Sequence, residues 1–360
     1  MRINLLNFDA KHCSINMTDC AEKLFIIVTV LVCLILPNRT IAQTDLAVST
    51  QTASHPDWPN SRVLRWAHVY EPSHALHKWA LWASDEIYKE THGRYKIKIY
   101  ASSSLGKEAH INQSLSLGSL DIIYTGTSFA SQMYKPLGLS EMPYIFENYQ
   151  HWQRYVTSAV FAQLTQEYQQ RSAGNVILSS TYYGERHLTS NIPVILPEQI
   201  RGLKIRVPGA EIYQLFPLAL GAKPSPISFS EVYLAIQQGV VDAQENPLPT
   251  IKAKKFYEVQ SNINLTGHVL GSILAVLSGR TWDLLSKDDR TIFTKVLRIA
   301  AQKASEETRY NEQNLSKWFE QQGVSVNQVE RNAFRQQVLN FYEHTTFAYD
   351  RSIYDLIQGL

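Results

Sequence analysis

An alternation of strand-like and helix-like segments, which begins near residue 63, constrains the fold of this chain more than any other feature. Strand patterns rich in apolar residues occur at residues 63–69, 95–101 and 120–124. Between them, apolar residues recur at helical spacing over residues 74–91 and 107–117, and Gly93 and Gly118 end these helices. A β-α-β-α-β order favours a mostly parallel sheet with helices on both faces.

The second half of the chain continues this alternation. Strand patterns cover residues 175–180, 203–207 and 240–243. Pro217 is expected to kink a helix at residues 210–220, and Ser228 and Glu231 have the spacing of a capping box for the next helix. A long amphipathic helix is predicted at residues 288–321. The composition, 44% hydrophobic and 18% charged, is that of a globular chain of about two domains.

A short sequence unit occurs in both halves. In each, a predicted helix is followed by a glycine and then by a strand pattern with an aspartate: Gly118 leads to Asp121, and Gly239 leads to Asp242. Two similar α/β lobes would produce such a repeat. Glycine also ends helices in unrelated proteins, so the same pattern can arise without any repeat.

The N-terminal segment has the pattern of a signal peptide. Basic residues precede an apolar stretch at residues 24–36, which is too short to cross a bilayer, and small residues up to Ala42 suit cleavage. We therefore predict export to the periplasm, with residues 1–42 removed and a polar leader at residues 43–61. An uncleaved membrane anchor is the alternative, and Met17 is a second candidate for the start of translation.

All three cysteines, Cys13, Cys20 and Cys33, lie within the segment that cleavage would remove. The exported chain would then contain no thiol, which excludes disulfides, thiolate metal sites and cysteine nucleophiles. The formal charge of +2 arises from 34 basic and 32 acidic residues. A balance this even gives no reason to expect nucleic acid as a partner.

Signatures of catalysis are weak. Residues 126–130 resemble a nucleophile elbow around Ser128, but the final glycine is missing and nothing in the sequence brings His187 close to that serine. His74 and His77 lie on one helix face without the glutamate of a zinc-peptidase motif. We therefore expect no enzymatic activity, no metal and no cofactor, with an exported serine hydrolase as a distant alternative.

Two arginines lie close to the ends of predicted strands. Arg206 stands two residues before Pro208, which ends its strand, and Arg186 comes shortly after the strand pattern at residues 175–180. Ligands of open α/β sheets bind beyond the carboxyl ends of the strands, and a guanidinium binds a carboxylate through two parallel hydrogen bonds. Both arginines are therefore candidates for binding an anion; a solvated strand face is the alternative.

Five sequence blocks occur in a characteristic order and spacing. They are YGERHLTSN at residues 183–191, GLKIRVP at 202–208, FSEVYLA at 229–235, VDAQENP at 241–247 and KFYEV at 255–259. In these blocks the chain resembles the solute-binding subunits of tripartite ATP-independent periplasmic (TRAP) transporters. The resemblance covers residues 62–323.

The resemblance implies roles for four residues. Arg206 matches the carboxylate clamp of the family, and Arg186 matches an arginine that contacts the same carboxylate or another acidic group. Asn246 matches an asparagine that adds a hydrogen bond from the facing loop, and Phe229 matches an aromatic residue that lines the pocket. The alternatives are a turn residue before Pro247 for Asn246 and a core position for Phe229.

Other side chains near strand ends are candidates for the pocket wall. They are His68, Tyr70, Tyr124 and Tyr183. One departure from the family pattern concerns sialic acid. Members that bind it carry a glutamate at the place of Gly126, so sialic acid is not the expected ligand.

The implied fold is the two-lobed periplasmic-binding-protein fold, with α/β lobes, a ligand cleft between them and several chain crossovers. Lobe I would contain residues 62–183 and 272–311, and lobe II would contain residues 184–271 and 312–360. The lobes would close over the ligand about a hinge. We expect a monomer.

The implied function is that of an extracytoplasmic receptor, which passes a small organic carboxylate to the membrane permease subunits of a TRAP transporter. We expect a C4-dicarboxylate, because two arginines bring two positive charges into one cleft and an unpaired buried charge is costly. Glu185 and Glu245 are acids whose pairing with an arginine would weaken that reasoning. A sugar acid or a hydroxylated monocarboxylate is the alternative ligand, and a ligand sensor or partner-docking protein with the same fold is an alternative function.

Overall fold

The computed structural model describes residues 61–344 and 349–360. The predicted signal peptide and almost all of the leader therefore lie outside the described residues. The strands are β1 (Arg62–Ala67), β2 (Tyr95–Tyr100), β3 (Ile122–Gly126), β4 (Val176–Ser190), β5 (Lys204–Val207), β6 (Lys223–Pro226), β7 (Ala243–Pro247), β8 (Asn262–Leu277) and β9 (Ser325–Asn327). The helices are α1 (Ala75–Glu90), α2 (Glu108–Ser116), α3 (Thr127–Ala130), α4 (Tyr149–Val156), α5 (Ala159–Arg171), α6 (Leu215–Ala219), α7 (Val232–Gln237), α8 (Leu248–Ala253), α9 (Gly279–Leu284), α10 (Lys287–Gln321), α11 (Arg331–His344) and α12 (Arg351–Gln358).

These strands form one sheet with the order β2-β1-β3-β8-β4-β7-β5-β6, and β9 pairs with the start of β8. The two ends of this sheet have the same arrangement of parallel and antiparallel strand pairs. β1 is parallel to β2 and β3, and β3 is antiparallel to β8; β5 is parallel to β6 and β7, and β7 is antiparallel to β4. We call β1, β2 and β3 the first strand group and β5, β6 and β7 the second. The long strands β4 and β8 pair with each other at the centre and carry the chain between the two groups.

The short repeated unit of the sequence has the same geometry in both strand groups. Gly118 and Gly239 both adopt a left-handed φ, +67° and +68°, which ends the preceding helix. The aspartate of each unit then accepts a hydrogen bond from a backbone N–H of the neighbouring strand. The pairs are Asp121 with Arg65 and Asp242 with Lys204, each at 2.8 Å. The repeat is therefore a structural one, because in each copy the aspartate that precedes β3 or β7 is bonded to the neighbouring strand, β1 or β5.

The central strands differ most from the sequence pattern. The pattern indicates only the beginning of β4 and no strand at β8. Both strands are buried over nearly their whole length, so they lack the alternation that marks a half-exposed strand. Serine, threonine, asparagine, glycine and histidine interrupt their apolar residues, which hides the strand signal further.

Three local predictions between residues 210 and 247 also need correction. β7 begins at Ala243, because the predicted strand at residues 240–243 coincides with the turn after α7. Pro217 lies in the first turn of α6, where proline is tolerated, so the chain forms a 3₁₀ turn and a short helix in place of one kinked helix. Ser228 precedes the turn at Phe229–Glu231, but its side chain makes no capping hydrogen bond.

The longest helix, α10, contributes to both hydrophobic cores. Its N-cap is Ser286, whose side chain accepts a hydrogen bond from the N–H of Asp289. Phe293 belongs to the larger core around the first strand group, and Phe319 belongs to a second core beside α7 and α8. The helix thus packs into both hydrophobic cores and connects them. Within the described ranges, no helix is both long enough and apolar enough to span a membrane.

Candidate functional site

A cavity of about 140 Å³ lies between the carboxyl ends of the two strand groups. The segments that follow β1, β2 and β3 supply one side, and β4, β5, β7 and the segments that follow β5 and β6 supply the other. The lining residues include Val69, Tyr70, Glu108, Gly126, Phe129, Tyr183, Arg186, Arg206, Tyr213, Phe229, Asn246 and Ile273. The sheet order explains this location, because the ends of β1 and β3 face those of β5 and β7 across the central pair.

Arg206 is a buried arginine with an unused donor group. It lies in β5, one residue before the strand ends, and its Nε donates to the carbonyl of Ile227 at 2.9 Å. Its Nη1 is buried and has no hydrogen-bond partner. Burial lowers the pKa of Arg206 to about 10, although Glu245 acts in the opposite direction. A cation held in this way requires an acceptor that the protein itself does not supply.

Arg186 is equally buried, but its charge is already paired. Its Nε and Nη2 donate to the two carboxylate oxygens of Glu245, with Nη2 at 2.7 Å from Oε1. Nη2 also donates to the carbonyl of Glu245 at 2.9 Å. Burial opposes both charges, yet the pairing prevails: it holds the pKa of Arg186 above its usual value and that of Glu245 at about 2. Arg186 therefore brings little net charge to the cavity.

His268 also contacts Glu245 and helps to hold its side chain in position. His268 Nε2 lies 3.4 Å from Glu245 Oε2, and the imidazole stacks on the ring of Phe216 with a centroid distance of 3.8 Å. Burial lowers the pKa of His268, although its contact with Glu245 opposes the shift. The Arg186–Glu245 pair is thus packed into a rigid, largely apolar setting.

Asn246 and Tyr183 lie side by side on the cavity wall. The Tyr183 hydroxyl lies 3.3 Å from Asn246 Oδ1 and accepts a hydrogen bond from the Thr250 hydroxyl at 2.8 Å. Asn246 Nδ2 donates to Gln244 Oε1 at 2.6 Å. These bonds fix the orientation of the Asn246 amide, and its remaining donor and acceptor sites can bind a ligand in the cavity.

The aromatic candidates divide into two groups. Tyr70 and Phe229 line the cavity, and their ring centroids lie 6.1 Å apart. His68 and Tyr124 lie behind them instead: Tyr124 packs edge-on against Trp66, and His68 Nδ1 accepts from the N–H of Tyr70 at 3.2 Å. His68 and Tyr124 therefore support the wall without lining it.

Several cavity residues escaped the sequence analysis, among them Lys107, Glu108 and Tyr213. Glu108 Oε1 accepts hydrogen bonds from the Gly126 N–H at 2.7 Å and the Thr125 hydroxyl at 3.1 Å. Burial raises the pKa of Glu108, although these bonds oppose the shift. Tyr213 donates to the buried Glu141, at 3.2 Å from Oε2. An acid in the first turn of a helix that follows a strand end was the available signal for Glu108.

Gly126 matters because of the space beside it. A Cβ at this position would lie 3.5 Å from Glu108 Oε1 and 3.7 Å from the hydroxyl of Tyr213. A glutamate at position 126 would therefore have to share this corner of the cavity with Glu108.

The catalytic and metal hypotheses find no matching geometry in the described part of the chain. His187 Nδ1 accepts from the backbone N–H of Gly267 at 3.0 Å, and His77 Nδ1 lies 3.1 Å from His68 Nε2. Among the described residues, no group of three or more His, Cys, Asp or Glu side chains is arranged to hold a metal ion. The arrangement instead suits reversible binding of an anion by Arg206.

Comparison with protein families places the chain in a known group. Residues 66–348 match the family model for bacterial extracellular solute-binding proteins, family 7. The sialic acid-binding periplasmic protein SiaP of Vibrio cholerae is 34% identical over 235 residues, 64% of this chain and 72% of SiaP. A solute-binding protein of Roseobacter denitrificans is 31% identical over 287 residues, 79% of this chain and 86% of that protein.

Solved structures show the same fold. A TRAP periplasmic solute-binding protein of Polaromonas sp. JS666 bound to D-erythronate superposes with a TM-score of 0.79 and 28% identity, over 83% of this chain and 99% of that chain. The Roseobacter denitrificans protein bound to L-galactonate gives a TM-score of 0.78 and 27% identity, over 82% and 97% of the two chains. The predicted two-lobed fold is thereby confirmed, and the chain belongs to family 7 of the bacterial extracellular solute-binding proteins, the receptor subunits of TRAP transporters.

Proposed function

We propose that this TRAP receptor binds a hydroxylated monocarboxylate of the sugar-acid type, with the ligand carboxylate on Arg206. The unpartnered Nη1 of Arg206 is the observation that carries the proposal, because it marks a buried cation that needs an anion. Asn246 and Tyr183 on the same wall supply further hydrogen-bonding groups. The receptor would then deliver the ligand to the permease subunits of its transporter.

The charge of the cavity argues for a monoanion. Our expectation of a C4-dicarboxylate rested on two uncompensated arginines, and the pairing of Arg186 with Glu245 removes that basis. Lys107 also lines the cavity but is paired with Glu231, so Arg206 leaves one positive charge for the ligand. Glu108 also faces the cavity, so a second ligand carboxylate would meet a protein carboxyl group there.

Hydroxyl groups on the ligand suit the remaining wall. Carboxyl oxygens accept hydrogen bonds, and tyrosine hydroxyls both donate and accept them. Glu108, Tyr70 and Tyr213 provide such groups. Two similar solved structures hold D-erythronate and L-galactonate, both polyhydroxylated monocarboxylates, which supports the same class of ligand here.

Sialic acid remains an unexpected ligand despite the similarity to SiaP. A cavity of about 140 Å³ is below the roughly 300–1,000 Å³ of pockets that hold drug-sized molecules. Gly126 provides no side chain at the position where sialic acid-binding members have a glutamate. We infer a ligand of four to six carbons.

We also propose the lobe boundaries that the resemblance implies, with crossovers near residues 183, 271 and 311. β4 and β8 shift register between Tyr182 and Gly184, where a hinge between lobes would lie. Export with cleavage near Ala42 and a monomeric state belong to the same proposal. N-terminal sequencing of the exported protein tests the cleavage site.

A thermal-shift panel tests the receptor function. A ligand at 100 times its Kd adds about 2.7 kcal/mol of stability, which raises the Tm of a chain this size by roughly 5 °C. We expect such a shift with aldonates of four to six carbons. If neither the aldonates nor succinate and malate shift the Tm at millimolar concentration, the proposed function is wrong.

A further inference from the structure

Helix α8 contacts the segment after β1 at two points. Thr250 in α8 and Lys254, the C-cap residue of that helix, are four residues apart, so they lie on one side of it. Lys254 Nζ donates to Glu71 Oε1 at 2.6 Å, and Thr250 Oγ1 lies 3.2 Å from His74 Nε2. Glu71 and His74 precede α1, whereas α8 follows β7. The contact therefore joins the first strand group to the second at the edge of the cavity.

The ion pair of this contact is mostly shielded from water. The side chains of Lys254 and Glu71 are 15% and 22% exposed. Glu71 Oε2 accepts a second hydrogen bond, from the Ser102 hydroxyl at 2.6 Å. Lys254 Nζ also lies 5.1 Å from the ring centroid of Phe229, which lines the cavity. The pair thus covers the aromatic wall from outside.

A chain of hydrogen bonds connects the second contact to the cavity. Because His74 Nδ1 accepts from the Leu76 N–H at 3.2 Å, the neutral imidazole carries its proton on Nε2 and donates to Thr250. Thr250 in turn donates to the Tyr183 hydroxyl, which lies beside Asn246. The contact between His74 and Thr250 is therefore connected by hydrogen bonds to Tyr183 and Asn246 in the cavity wall.

We propose that Glu71, His74, Thr250 and Lys254 form a closing latch that sets the rate of ligand release. The cavity is lined by residues of both strand groups, so a ligand leaves only after the two groups separate. Separation breaks the latch, although no latch residue lines the cavity. This inference rests on the proposed function, in that the ligand occupies this cavity.

A second ion pair offers a matched control. Lys107 Nζ donates to Glu231 Oε1 at 2.6 Å and joins the same two strand groups, but the two side chains are 54% and 51% exposed. Only Glu231 is changed in the control, because Lys107 lines the cavity. Water and salt screen an exposed pair. Loss of a shielded charge pair acts on the dissociation rate, whereas loss of a rim pair acts mainly on the association rate and its salt dependence.

The test measures dissociation of L-galactonate from the full-length exported chain by stopped-flow displacement. We expect Glu71→Gln or Lys254→Met to accelerate dissociation about tenfold with little change in association. The double variant should be no faster than the faster single variant, because both changes remove one interaction. The control Glu231→Gln should change dissociation by less than about twofold. Unchanged dissociation in Glu71→Gln, or equal acceleration in Glu231→Gln, would overturn the latch.

A label experiment separates the latch from the ligand class. All cysteines precede residue 42, so spin labels at Leu117→Cys and Leu234→Cys, two exposed positions in different parts, report opening directly. If L-galactonate does not bind the unmodified chain, the proposed ligand is wrong. The distances between the two spin labels, measured without ligand, then test the latch. Glu71→Gln should then shift the distance distribution away from that of the unmodified chain, and identical distributions would refute the latch.

Discussion

The two arginines that line the cavity have the same side chain, but the protein pairs one of them with an acid and leaves the other with an unpaired donor. Arg186, in the long central strand β4, donates to both oxygens of Glu245. Arg206, near the end of the short strand β5, has a buried Nη1 without a partner. The difference indicates that the protein pairs one arginine for its own structure and leaves the other for its ligand. Counting arginines therefore overestimates the charge that a ligand must supply.

The largest expected effect comes from removing the paired arginine. Arg186→Met leaves Glu245 buried without its partner, which should destabilise the ligand-free protein by about 3–5 kcal/mol. Arg206→Met is the matched control: it removes an unpaired buried cation, so the free energy of unfolding should stay the same or increase. Urea unfolding without ligand measures both. Equal losses in the two variants would contradict the distinction between the arginines.

Ligand affinity should depend mainly on Arg206, whereas stability depends mainly on Arg186. Arg206→Lys keeps the charge but loses the planar pair of donors, and charge-assisted hydrogen bonds contribute about 1.5–3 kcal/mol. We expect a loss of affinity of about 100-fold, nearly as large as for Arg206→Ala. Isothermal titration calorimetry gives the comparison. Affinity near that of the unmodified chain in the lysine variant would exclude Arg206 as the carboxylate clamp.

The paired arginine also predicts a pH dependence of stability. The pKa of Glu245 is lowered from 4.5 to about 2 in the folded chain, so unfolded chains take up the proton first as the pH falls. The stability from this pair is complete above pH 4.5 and is lost as the pH falls towards 2. Between pH 7 and pH 3, Glu245 should account for a loss on the order of 2 kcal/mol. Urea unfolding of Glu245→Gln at both pH values provides the control, since this contribution is absent there.

Glu108 should have the smallest effect and should act on specificity. Glu108→Gln removes the carboxyl that would face a second ligand carboxylate, while the hydrogen bond from the Gly126 N–H can persist. Succinate should gain about fivefold in affinity relative to L-galactonate, an electrostatic effect of about 1 kcal/mol. Competition binding measures the ratio. A ratio that moves towards L-galactonate would show that Glu108 does not oppose dicarboxylates.

The sequence located Arg206 but left Glu185 and Glu245 both open as acids that could pair with an arginine. Pro208 marks the end of β5 in the sequence itself, so the position of Arg206 near the strand end was predictable. The pairing of Arg186 depends on strand register. Leu188 stands opposite Glu245 in the β4–β7 pair, which makes Arg186 a diagonal neighbour of Glu245 on the same face. Register between strands so distant in sequence follows from tertiary packing, which local patterns do not contain.

The same limit explains Glu108 and the central strands. Glu108 enters the cavity because α2 begins beside the end of β3, a meeting of two elements that no local pattern specifies. β4 and β8 are buried along almost their whole length, so they lack the alternation that identified β2. By contrast, the helix–glycine–aspartate units at Asp121 and Asp242 were visible, because their members are close together in sequence. Their hydrogen bonds to Arg65 and Lys204 span distant residues and were not predictable from the pattern.

Competitive binding to the unmodified chain tests the central claim, that Arg206 alone holds the charge of a hydroxylated monocarboxylate. L-galactonate and D-erythronate should be titrated against succinate and malate by calorimetry at one salt concentration and pH 7. We expect at least one aldonate to bind about tenfold or more tightly than both dicarboxylates, because Arg186 and Lys107 are each already paired with a glutamate and a second carboxylate would face Glu108. If succinate or malate binds about tenfold more tightly than both aldonates, Arg186 contributes charge to the ligand after all, and the distinction between the two arginines is wrong.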